Sequence, residues 1–126
     1  MSSIGKSMLA ALIAEQHELG TRIHDLHASP RETLLVGESL LAFAAREDEA
    51  FSALTPLLDP AVRTELAADH QRIAEDLDLL DSLLQTTPTS ADVAVLTASL
   101  VRRMRQHISR DGRLLSRAAV LQTSRA

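Results

Sequence analysis

A chain of 126 residues carrying 17 acidic and 13 basic side chains has room for one domain around a single core. The absence of cysteine excludes a disulfide framework, a thiolate ligand and a thiol nucleophile. With no Trp, no Tyr and only Phe43 and Phe51, there is no stacking platform for single-stranded nucleic acid. No apolar run approaches the length of a membrane span, and the residues Met1 to Ser7 lack the apolar block of a signal peptide. The expectation is a cytoplasmic protein with neither a membrane nor a nucleic-acid partner.

Proline marks the joints between four predicted helices. The first covers about residues 4–27 and carries His17, His24 and His27 along the edge of its apolar stripe. Ser29-Pro30-Arg31-Glu32 reads as an N-cap, an N1 proline and an N3 glutamate, the pattern of a capping box. The second helix runs from there to about Leu54 and stops at Thr55-Pro56, because the residue before proline is pushed out of helical geometry. Its stripe is Val36, Leu40, Phe43, Glu47, Ala50 and Leu54. Asp59-Pro60 repeats the cap-plus-proline signal and opens a third helix to about Gln85, with the stripe Leu66, His70, Ile73, Leu77, Leu80 and Leu84. After the turn cluster Thr86 to Ser90, a fourth helix extends to about Ala119, and the tail from about residue 120 is expected to fray. Its stripe is Val93, Leu96, Leu100, Met104, His107, Asp111 and Leu114. Four long helices with short joints alternate in direction, which makes the expected fold all-α, an up-down-up-down antiparallel four-helix bundle.

Charge is uneven along this pattern. Residues 101–126 hold seven arginines and one aspartate, against an acidic excess before them. A basic helix invites a nucleic-acid reading. The simpler expectation is that it packs beside the acidic third helix, with its Glu75, Asp76, Asp78 and Asp81.

Three stripes are interrupted by ionisable residues, and a carboxylate or imidazole removed from water needs a partner or a cation. Residues equally far from a joint lie level in antiparallel neighbours. Glu47 and His70 stand about ten and twelve residues from their shared joint, a mismatch of only about 3 Å at the helical rise. His70 and His107 match equally well across the next joint, and His17 falls within about a turn and a half of Glu47. His107 and Asp111, four residues apart, share one helix face. His17, Glu47, His70, His107 and Asp111 are therefore the candidate metal ligands. A donor set of imidazole and carboxylate suits iron, manganese or zinc.

These residues resemble the haemerythrin-like, or HHE cation-binding, family over essentially the whole chain. The similarity lies in His17 within Glu15-Gln16-His17-Glu18-Leu19 and in the acid-rich run from Glu47 to Leu54. It extends to Asp69-His70-Gln71-Arg72-Ile73 and His107-Ile108-Ser109-Arg110-Asp111. The resemblance implies the same bundle around a non-haem di-iron centre, with Glu47 in the place of a bridging glutamate and one iron open to O2 or another small ligand. The chain departs from the family pattern at Phe43, where a histidine is usual, at Ala74, where some members have another, and at Gly112, where a second acid is common. The expected function is a non-haem iron protein, with one or two ions, that binds or senses O2, NO or peroxide. The alternatives are a bundle whose metal site has decayed and which dimerises or binds a protein partner through its last helix, or one that takes a single zinc or manganese ion, or haem. Gly5-Lys6-Ser7 echoes the end of a phosphate loop but lacks the upstream glycine and preceding strand.

Overall fold

The computed structural model describes the backbone of residues 2–27, 29–53 and 59–125 and the side chains of residues 7–27, 29–50 and 59–121. Within them the chain forms four helices and no strand: α1 (Ser2–His24), α2 (Pro30–Ala53), α3 (Pro60–Thr86) and α4 (Ala91–Arg125). Each helix packs on its sequence neighbours, α1 also packs on α4, and α2 reaches α4 across the middle. No helix among the described residues is long and apolar enough to cross a membrane.

Local chemistry sets the helix ends. At α2, Thr33 Oγ1 donates to the Ser29 carbonyl at 2.8 Å, while the Glu32 N–H approaches Ser29 Oγ only at 3.4 Å. The helix start is thus held chiefly by Thr33. At α3 the Asp59 carboxylate accepts from the Ala61 N–H at 2.9 Å, with Pro60 supplying a preset φ at the first helical position. At α4, Ser90 Oγ accepts from the Asp92 N–H at 3.1 Å. The first helix ends at His24, three residues short of the expected boundary, which leaves His27 outside it. The last helix continues past residue 119 to Arg125. The segment Arg117-Ala118-Ala119-Val120-Leu121-Gln122 contains no glycine or proline and is rich in good helix formers, so nothing stops propagation there. The Thr55-Pro56 stop and Leu54 lie outside the described residues.

The apolar stripes converge on one core, with Leu40, Ile73, Leu80, Leu100 and Met104 fully enclosed. Each such side chain contributes roughly 1.5–3 kcal/mol by leaving water. Gly37 lets α2 and α3 approach closely: a Cβ there would lie 2.5 Å from a Leu77 methyl. The fourth stripe belongs to α1 and runs Leu9, Leu12, Leu19 and Ile23, with Leu26 just past the helix end continuing it, all buried. Ile73→Ala is expected to lower the unfolding free energy by about 2–5 kcal/mol. Leu79→Ala, on the exposed side of the same helix, should change it by less than about 0.5 kcal/mol. Urea unfolding followed by helical circular dichroism measures both.

Candidate metal centre

The stripe of α2 carries Glu47 inward and that of α4 carries His107 and Asp111. Glu47 and Asp111 are 0% exposed and His107 is 2% exposed, while His70 on α3 is half-buried. These four predicted residues reach the interior as two pairs.

In the carboxyl pair, none of the four oxygens of Glu47 and Asp111 meets an N–H or O–H donor from any other described residue. Burial pushes the Glu47 carboxyl up to about 11, and the neighbouring Asp111 carboxyl pushes it the same way. Burial also raises Asp111, against a hydrogen bond from Glu47 that favours its charged form. Two carboxylates cannot share a dry site while both are ionised. Without a cation, Glu47 keeps its proton and donates it to Asp111.

In the imidazole pair, Nε2 of His70 and Nε2 of His107 are 2.9 Å apart, with the rings edge to face. Behind them, His107 Nδ1 lies 3.3 Å from Asp69 Oδ2, and Arg110 Nη1 donates to that same oxygen at 2.9 Å. An Nδ1–H directed at Asp69 leaves the His107 Nε2 lone pair to accept from His70. Desolvation lowers His107 to about 4, helped by the adjacent His70. His70 is also lowered by desolvation, although Asp48 and Asp69 oppose the change. Both rings are therefore neutral near pH 7, the protonation state a metal requires of a histidine. Asp69 stands to His107 as carboxylates commonly stand to metal-binding histidines, fixing ring orientation and raising basicity.

The structure does not bring His17 into this cluster. Its side chain is exposed and lines a surface groove between α1 and α4. Gln16 takes the stripe position instead, with Nε2 donating to the Ile108 carbonyl at 2.8 Å. Gly112 makes room for it, since a Cβ there would lie 2.6 Å from Gln16 Nε2. The steps of three and four through Leu9, Leu12, Gln16, Leu19, Ile23 and Leu26 carry this signal in the sequence. His24 is exposed as well. Phe43 is buried one turn before Glu47 and offers no donor atom there. Among the described residues, no three His, Asp or Glu side chains form a group that could hold a metal ion. Asp69 and Arg110 are the contributors that spacing alone did not single out; the adjacency of Asp69 to His70 was the available clue.

A comparison with known protein families, curated proteins and solved structures finds no match to this chain.

The pairs set a pH profile for the metal-free protein. Folded Glu47 holds its proton up to about pH 11, whereas the unfolded chain releases it near 4.5. The folded state therefore binds more protons across that window, and stability falls as pH rises through it. Folded His107 is neutral down to about 4, whereas the unfolded chain protonates it near 6.5, so stability also falls as pH drops through that interval. Chelator-treated protein should unfold at a lower denaturant concentration at about pH 9 than at about pH 6. Glu47→Gln, which supplies a permanent donor to Asp111, should flatten that alkaline decline.

Proposed function

We propose that this chain is a haemerythrin-like metal-binding protein, an up-down-up-down antiparallel bundle whose interior takes non-haem iron, one or two ions, and binds or senses O2, NO or peroxide. The observation that carries the reading is the Glu47–Asp111 pair: four buried carboxylate oxygens with no donor from any other described residue, a costly arrangement that a cation relieves. Neutral His70 and His107 supply the nitrogen donors, and Asp69 orients His107 from behind. The donor types suit a divalent cation of borderline hardness, but the two pairs have to move together to hold it, and the set is smaller than the family pattern, because His17 is exposed and Phe43 is apolar. Iron held there would supply an open coordination position for a small ligand. The chain's own part is to release the Glu47 proton, to free the His107 Nε2 lone pair from the His70 N–H that it accepts, and to keep the surround dry with Phe43, Leu40 and Met104.

A second reading is favoured by one further feature. The carboxyl pair can close on a shared proton and the imidazole pair on each other, which satisfies the interior without a cation. In that case the bundle is an interaction module with a decayed site.

Elemental analysis and the visible spectrum of protein reconstituted anaerobically with ferrous iron separate the two readings. The expected result is one or two irons per chain in the wild type and in His17→Ala, with loss in His70→Ala and His107→Ala. Absence of iron from the wild type would leave the second reading, and zinc or manganese in its place would reassign the ion.

A further inference from the structure

The seam between α1 and α4 carries polar chemistry that the interior cluster does not use. An open depression of about 550 Å3 is lined by His24, Arg105, Gln106, Ser109, Arg110 and Arg113. A second of about 260 Å3 adjoins it through His24 and Ser109 and continues past Thr21 to His17. Among the described residues, no aspartate or glutamate lines either one. In a chain of net charge −4 this is a local reversal. The groove on the α1–α2 side, by contrast, sets Glu15 and Glu18 against Arg22 and Arg46.

The arginines of the seam differ in how they are held. Arg110 is engaged by Asp69 and lies 3.9 Å from Glu65, so its charge is offset. Arg105 Nη2 donates to the carbonyls of His24 and Leu26, each at 3.1 Å. Those acceptors fix the guanidinium without neutralising it, and its Nε has no acceptor among the described residues. Arg113 is exposed and has no ion-pair or hydrogen-bond partner among the described residues. Two guanidinium charges thus remain uncompensated beside an amide, a hydroxyl and an imidazole. Guanidinium groups recognise tetrahedral oxyanions through paired, charge-assisted N–H donors. Among the described residues, no Phe, Tyr or Trp lines the seam to offer a base a broad stacking face.

We propose that this seam binds the phosphate or diphosphate group of a small phosphorylated molecule, with Arg105 and Arg113 as the principal donors and Gln106, Ser109 and His24 completing the site. It gives His24 a role, and His17 one at the far end of the groove. The proposal does not rest on metal binding in the interior.

The test is a titration of chelator-treated protein with sodium diphosphate at fixed chloride, followed by backbone amide chemical shifts. The expected result is saturable shifts at His24, Gln106, Ser109 and Arg113. Arg113→Gln and Arg105→Gln should each weaken binding by about tenfold or more, as expected for a lost charge-assisted contact. Arg102→Gln, exposed on the same helix but away from the seam, should leave affinity unchanged. Arg113→Gln keeps the comparison clean if Arg105→Gln disturbs the end of α1. Equal losses in Arg113→Gln and Arg102→Gln, or unsaturated shifts spread over all the α4 arginines, would show diffuse electrostatics and overturn the site. Shifts centred on Glu47, His70 and Asp111 would also overturn it. Equal affinity for sulfate would overturn the assignment to phosphate.

Discussion

Two carboxyl groups enclosed side by side, with no donor from any other described residue, are the constraint to which the rest of the interior responds. Glu47 and Asp111 come from different helices and meet in an interior that α2 and α4 fill mainly with apolar side chains, His107 being the nearby exception. Water solvates a carboxylate far better than a leucine-rich core does, so the pair exists only because a proton or a cation stands between its members. The neighbouring imidazoles obey the same rule with opposite sign: burial holds them neutral, and neutrality lets one ring accept a bond from the other. The core thus contains its ionisable groups in uncharged or shared-proton form, an arrangement that costs stability relative to an all-apolar bundle.

The arginines of α4 serve different ends although they share one helix. Arg103 joins Asp76 at 2.9 Å and Arg110 joins Asp69, both on α3, as the charge distribution led one to expect. Such partly exposed pairs add little to stability by themselves. The Arg110 pair matters more for what it holds, because the Asp69 carboxylate it fixes is the one that sets the tautomer of His107. Arg105 turns the other way and caps carbonyls at the end of α1, where the helix dipole favours a cation. Glu75, Asp78 and Asp81 remain on the exposed side of α3, so the two helices are matched in only part of their charge.

The helices and their buried faces were legible because steps of three and four leave little ambiguity, and proline with a preceding cap fixed most of the joints. Glu47, His107 and Asp111 lie on stripes and are buried as that periodicity required. His17 misled because a histidine beside a stripe draws attention, while the glutamine actually on the stripe does not. One position of helical rotation, about 100°, separates an interior side chain from a surface one. The Asp69–His107 contact was not legible, since it depends on the angle between two helices and on side-chain rotamers that spacing cannot supply. The end of α4 is not legible, because the helix runs to Arg125 beyond the last residues of the apolar pattern.

The contact between α1 and α4 has a consequence for how the chain assembles. Gln16 bonds to Ile108 and Arg105 bonds to the end of α1, so the most extensive helix pairing joins the two ends of the sequence. The α2–α3 and α3–α4 pairings close short loops, whereas the α1–α4 pairing closes a loop of nearly the whole chain. Loop entropy rises only as the logarithm of length, but that cost precedes any reward from contacts across the seam. The order that follows is the hairpins of sequence neighbours first, α1 with α2 included, and the α1–α4 seam last, where Gln16 meets the Ile108 carbonyl.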